Sequence, residues 1–238
     1  RHSFFPYCGY RERSSSYSEV ALNMIMIPLA LGRLNGHRMP SLEEAAPAQR
    51  GAECLALTLM PDGRPPDVGD GFLTPENTTR TLQTAGRVFE SGTVQTVAEK
   101  LGIEEAADQS RGGEREEIPR LTHLPETGVL VARSEWSPDA HAFALTCPGS
   151  GAPERPGHSH EDFLNLQIVA GGEELVGTPA SLLYHDVNRE EYRRTNQRAF
   201  FYSLLSHNSV LVGGEPIYPL EEMRTIWHTP TVPVEVDC

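Results

Sequence analysis

Lysine is almost absent from this chain: of its twenty basic residues only Lys100 is not an arginine, a bias that reflects coding composition more than chemistry. Positive charge is scarce altogether. Against those twenty stand 33 acidic side chains, for a formal net charge of -13 and a pI near 5.1. The surface as a whole lacks the basic field that phosphate binding needs, which excludes nucleic acid as a partner. Cysteines are few and far apart. Cys8, Cys54, Cys147 and Cys238 contain no Cys-x-x-Cys pair, so neither a zinc ribbon nor a dithiol redox motif is indicated, and a disulfide stays open. A long hydrophobic run is also lacking: the longest, residues 21–31, is interrupted by Asn23 and Pro28 and is too short to span a bilayer. There is no initiator methionine, and the chain enters at once on Phe4-Phe5-Pro6-Tyr7. It reads as an internal piece of a longer protein, any signal peptide lying upstream of Arg1.

What is present suffices for a buried core, with 238 residues and 38% hydrophobic side chains. Residues 18–102 carry helical punctuation. Ser41-x-x-Glu44 is a capping-box pattern, Pro75 and Thr78 precede a polar helical stretch, and Thr93 precedes Val94, Val97 and Leu101 at helical spacing. Residues 21–34 are the most apolar of these stretches and are expected to be the most buried helix, kinked or shortened at Pro28. Gly102 ends the last helix, and the acidic, glycine-bearing residues 104–117 suit a solvated linker. Beyond Pro125 the texture changes to short apolar runs bounded by Gly and Pro, at 129–132, 141–146, 163–170, 174–176 and 209–212. The expected class is α+β, with helices over 1–103, the linker over 104–120 and an antiparallel β-sandwich or part of one over 121–238. Residues 188–205 fit either one helix or an irregular excursion.

The densest chemistry lies in Gly157-His158-Ser159-His160-Glu161-Asp162, where two imidazoles and two acids offer both metal-ligand and proton-transfer groups. If the run is extended, alternation puts His158, His160 and Asp162 on one face, so that the histidines converge. A polar turn entering the strand at 163–169 would account for the same residues without any chemistry. Downstream come a Gly171-Gly172 turn and Ser206-His207-Asn208-Ser209-Val210. Arg189, Arg193, Arg194 and Arg198 gather positive charge near that second histidine, either as a substrate clamp or as a solvated helix face balanced by Glu190 and Glu191.

In this order, the His-x-His-x-Asp run, the apolar strand with its glycine turn and the His-Asn-Ser-Val run resemble the C-terminal half of the heparinase II/III-like polysaccharide lyases. Residues 128–136 resemble that family's first sheet strand, and Pro61-Asp62-Gly63-Arg64-Pro65-Pro66-Asp67-Val68-Gly69-Asp70 resembles its connection between late helices of an (α/α) toroid. The resemblance implies late toroid helices followed by the front of a sandwich, both incomplete. It implies a carbon-oxygen lyase that breaks uronic-acid glycans, alginate or glycosaminoglycan, by β-elimination. It also implies an acidic polysaccharide as partner and a periplasmic or secreted bacterial setting. Carried over, the catalytic tyrosine a few residues after a glutamate falls on Tyr17 after Glu12, with Tyr10 as a nearby alternative, and the catalytic histidine falls on His158. Arg198, Tyr202 and Glu12 are the implied substrate-binding positions. Tyr202 departs from an arginine common in relatives. In members that bind zinc, the ligands fall on His160, Gly177 and His207. Gly177 cannot ligate, a tetrahedral site wants four ligands, and Asp186, His185 or Glu174 would have to substitute. A metal-free histidine pair is therefore the expected state, with zinc as the alternative.

Other readings compete. Metallo-β-lactamase-like hydrolases also use His-x-His-x-Asp, but they continue with a histidine where this chain has Phe163, and the βαβ alternation of that fold is missing. Amidohydrolases place their His-x-His on the first strand of a barrel, whereas here it follows helices. A carbohydrate-binding relative that has lost turnover is favoured by the missing carboxylate at Gly177.

Overall fold

A computed structural model describes residues 10–11, 13–69, 71, 74–103, 116–146, 158, 160, 162–178, 206–212 and 215–216. Four helices come first: α1 (Ser15–Leu34), α2 (Leu42–Thr58), α3 (Pro75–Phe89) and α4 (Gly92–Lys100). Each starts on a hydroxyl cap, because the first amides of a helix have no partner within it. Ser14, Ser41, Thr74 and Ser91 accept from the backbone amides of Tyr17, Glu44, Asn77 and Val94 respectively. Ser41 and Glu44 complete the reciprocal capping box. The first cap lay unread in the sequence, and α4 is capped by Ser91, two residues before the expected Thr93.

Of the expectations about α1, shortening at Pro28 and deepest burial are overturned. Pro28 neither ends nor shortens the helix, which runs through it for 20 residues, with Pro28 on the exposed side where its missing donor costs least. Nor is α1 the most buried helix: only Glu19, Leu22 and Met26 are buried, while Met24, Leu31 and Leu34 are 73%, 55% and 82% exposed. It is apolar nearly all round, so composition could not say which side would be covered. The best-buried helix is α4, whose residues from Thr93 to Ala98 are all buried. One core is built from Leu22 and Met26 of α1, Leu55 and Leu59 at the end of α2, Leu82 of α3 and Val94 and Val97 of α4, and it includes Trp136.

The strands follow as an antiparallel meander in chain order: β1 (Leu121–Leu124), β2 (Val129–Arg133), β3 (His141–Thr146), β4 (Asn165–Ala170) and β5 (Glu173–Val176). A second sheet pairs β6 (Leu211–Val212) with β7 (Glu215–Pro216). Register aligns the buried face in rows, Thr122–Val131–Ala144–Gln167 and Leu124–Val129–Thr146–Asn165. That alternation is the period-two pattern of a half-buried strand. Its small members, Ala142 and Ala144, leave room for Cys54, Met60 and Val68, which join the sheet in a second core. β4 starts at Asn165, not at residue 163, because Phe163 and Leu164 form a turn with Leu164 at φ 54. The expected extended run through His158 and His160 is likewise not a strand.

Arg133 joins the two layers. It is 7% exposed, and its Nη2 donates to Leu57 O (2.9 Å) and Leu59 O (3.0 Å) at the C-terminal end of α2. Its guanidinium stacks 3.7 Å from the ring of Trp136, whose Nε1 donates to Pro119 O at 2.9 Å. Burial lowers its pKa to about 10, still well above neutrality.

Candidate active site at the junction of helices and sheet

Tyr17 stands in the first turn of α1, its backbone amide held by the capping Ser14 Oγ at 3.0 Å. That turn carries no acidic side chain of its own, and the positive end of the helix dipole lies beside the ring. His158 approaches from the other layer, in the segment leading to β4. That segment is pinned at Asp162, whose carbonyl accepts from Thr146 Oγ1 at 2.6 Å and from the Asn165 amide at 3.3 Å. The two rings stack, with centroids 3.8 Å apart and planes 20° from parallel, and both residues are half-buried. A phenol and an imidazole thus share one surface, within reach of one substrate ring. Tyr10, the alternative tyrosine, packs against the helical core instead.

His160 takes a different partner, so the two histidines of the motif do not converge on one point. Its ring meets that of His207 edge-on, with centroids 5.5 Å apart. His207 lies in a helical turn before β6, not in a strand, and its Nδ1 is 3.0 Å from Ser206 Oγ. The adjacent Asn208 ties this turn to the sheet: its amide donates to Asn165 Oδ1 (2.9 Å), its carbonyl accepts from the Leu166 amide (3.3 Å), and its Nδ2 donates to Gly177 O (2.6 Å).

Among the described residues, the zinc implied by the family resemblance finds the imidazoles of His160 and His207 and no third ligand beside them. A Cβ built on Gly177 would collide with Oε1 of Glu174, so that carboxylate already fills the space a side chain at 177 would take. Its other oxygen is held by Arg64 Nη2 at 2.8 Å, and Arg64 also pairs with Asp62 at 2.6 Å. Among the described residues, no group of three His, Cys, Asp or Glu side chains lies together so as to hold a metal ion. No chemical step is assigned to a metal. His185, Asp186, Glu12, Arg198 and Tyr202 lie outside the described residues, as do the arginines at 189, 193 and 194.

No protein-family profile and no curated protein sequence matches the chain. Solved structures do. A heparinase III gene product superimposes with a TM-score of 0.70 at 19% identity, over 90% of this chain and 31% of that one. The fold is that of the heparinase III structures. A second structure titled heparinase III matches with a TM-score of 0.67 at 16% identity, over 90% of this chain and 33% of that one. The heparan sulfate lyase HepC from Pedobacter heparinus matches with a TM-score of 0.65 at 17% identity, over 90% and 31%. The chain therefore spans about a third of the length of the heparinase III structures it matches.

The sequence reading missed residues that bond or pack against the segments carrying the pair: Ser14 caps the turn of Tyr17, Gly69 lies against the backbones of His158 and Arg13, and Gln167 bonds Asp67. Ser14, Gly69 and Gln167 had no chemical signature of their own. Gly69 was within reach, because it sits in the Pro-Pro-Asp-Val-Gly run already singled out as a connection.

Proposed function

We propose that this chain forms part of a polysaccharide lyase that opens uronic-acid glycans by β-elimination outside the cytoplasm, with Tyr17 and His158 as its acid-base pair. The observation that carries the reading is the stacked contact of these two rings between the helices and the sheet of a heparinase III fold. Elimination removes the weakly acidic proton beside the sugar carboxylate and returns a proton to the departing glycosidic oxygen. Both transfers need groups that are ionisable and within hydrogen-bond reach. One ring lying on the other brings a phenol oxygen and an imidazole nitrogen to the same sugar residue. The helix end beside Tyr17 adds positive potential where charge builds on the substrate carboxylate. Heparan-type glycosaminoglycan is the first substrate to try, because the neighbouring structures include heparan sulfate lyases; alginate is the second.

The test is to incubate the full-length protein with heparan sulfate, alginate and a neutral glucan and to follow the ultraviolet absorbance of the unsaturated product. We expect product from a uronate polymer and none from the glucan. Tyr17→Phe and His158→Ala should each lower the rate by about 10²-fold or more, the scale of losing an acid-base group. Full activity in both variants, or reducing ends without unsaturation, would rule the reading out. A second reading, binding without turnover, is favoured by the absent carboxylate at Gly177. Saturable binding of the polymer with no unsaturated product would select it.

A further inference from the structure

Residues 60–69 form neither helix nor strand, yet the segment is bonded on both sides. It first closes on itself, with Met60 N donating to Arg64 O (2.8 Å), Gly63 N to Met60 O (2.9 Å) and Arg64 N to Asp62 Oδ1 (3.1 Å). Pro65 and Pro66 follow, both buried and each with φ locked by its ring. On the helix side, Ser15 Oγ donates to Pro66 O (2.6 Å) and Ser15 N to Val68 O (3.1 Å). On the sheet side, the Gln167 amide grips both backbone groups of Asp67, accepting from its N–H at 2.8 Å and donating to its C=O at 2.9 Å. The two flanks then meet at Gly69, which has φ +67. A Cβ there would lie 2.5 Å from His158 O, 2.7 Å from Arg13 O and 3.3 Å from Ser14 Cα. His158 carries one reacting ring, and Arg13 and Ser14 lead straight into the turn that carries the other.

We infer that residues 65–69 of this segment are the positioning element of the Tyr17–His158 pair, and that the bare Cα of Gly69 sets the distance between the two rings. Gly69 touches no substrate and acts through the backbones on either side of it. Its catalytic consequence rests on the reading of the pair given above; its geometric consequence does not. Carbon does not approach a carbonyl oxygen as closely as a Cβ at this position would have to, so an alanine must displace His158, Arg13 or both by a sizeable fraction of an ångström. A misplacement near 1 Å in an active site is enough to cost about 10²-fold in rate. The segment also contains its own control. Gly63 has φ +78 but nothing within 4 Å of a built Cβ, so alanine there meets the same backbone strain without the collision.

The experiment compares Gly69→Ala, Gly63→Ala and Gln167→Ala in the full-length protein by two readings. One is the kinetics of unsaturated-product formation. The other is the proton resonance of the His158 imidazole carbon between its nitrogens, which the stacked Tyr17 ring shifts and which Tyr17→Ala returns to its unstacked position. Gly69→Ala should move that resonance toward the Tyr17→Ala position and lower kcat by about 10²-fold with little change in KM. Gly63→Ala should change neither. An unmoved resonance with normal kcat in Gly69→Ala would overturn the inference, and so would equal losses in the two glycine variants, which would make backbone strain the cause. If Gly69→Ala folds poorly, Gln167→Ala releases the segment from β4 without straining the backbone and must move the resonance in the same direction; a folded Gln167→Ala with the wild-type resonance also overturns it. If the wild type makes no product but Gly69→Ala still moves the resonance, the positioning role stands and only the lyase reading is removed.

Discussion

Glu19 stands two residues after Tyr17 on α1 but faces the interior, 5% exposed, where its carboxylate accepts a 2.5 Å hydrogen bond from Thr78 Oγ1 of α3. Burial pushes its pKa from an ordinary 4.5 up to about 7, with the Thr78 bond pulling the other way. Between those two values the folded protein keeps a proton that the unfolded chain has lost. This group's contribution is therefore full below pH 4.5, falls as pH rises and is gone above about 7. Its size is about 3 kcal/mol on the scale of 1.36 kcal/mol per pKa unit. Glu19→Gln, which keeps the bond to Thr78 and cannot ionise, should flatten most of that fall when urea unfolding is compared at pH 5 and pH 8. An equally steep fall in the variant would show that other groups cause it. Nothing in the sequence announced Glu19, an acid near the start of an apolar helix where a solvated position is the usual one. His158, His160, His207 and Tyr17 were legible because imidazoles in an ordered series are rare. Which histidine faced which ring was not, because the partners Tyr17 and His207 are brought up by distant parts of the chain and not by alternation along the run.

Helix and strand positions were readable wherever local chemistry decides them. The Ser41–Glu44 box, Pro75 in the first turn and the alternation of β2 and β3 all fall where expected. Unreadable were the contacts between elements, and Arg133 is the clearest case. It is the last residue of β2, one past the apolar run at 129–132, yet it serves as a remote cap for α2, its guanidinium meeting the carbonyls of Leu57 and Leu59 that the helix leaves over. Thr122 Oγ1 of β1 donates to the same Leu57 carbonyl at 2.9 Å. Arg133→Met would fill the space but leave buried carbonyls short of donors, each costing about 1–3 kcal/mol. The expected loss is about 3 kcal/mol in urea unfolding, with Arg133→Lys recovering only part because one ammonium cannot reproduce the planar fork. A methionine variant as stable as the wild type would show that packing on Trp136, not capping, is what the arginine contributes.

For the whole molecule, the order of helices and then strands was legible from the change in texture beyond Pro125, although β1 already begins at Leu121, whereas the way the halves are bound together was not. Cys54 is buried where α2 faces the sheet, beside Leu124 and Val129, and it is disulfide-bonded. With four cysteines in the chain, its partner is Cys8, Cys147 or Cys238, all outside the described residues. Spacing alone could neither require nor exclude this bond, because cysteines so far apart meet only through the fold. A buried structural disulfide is at home in an oxidising compartment, which is what supports the proposed site of action outside the cytoplasm. It should also close a loop of roughly 50 to 180 residues in the unfolded chain, depending on which cysteine is the partner, worth about 4–5 kcal/mol. Peptide mapping without reductant should find Cys54 joined to one of the other three cysteines. A thermal melt with reductant should show a lower midpoint than one without, and Cys54→Ala should melt like the reduced protein in both. A Cys54 thiol that alkylates fully in denaturant without reductant would contradict the bond and remove the structural support for an extracytoplasmic setting, while leaving the Tyr17–His158 contact, on the opposite side of the argument, to stand or fall by its own kinetics.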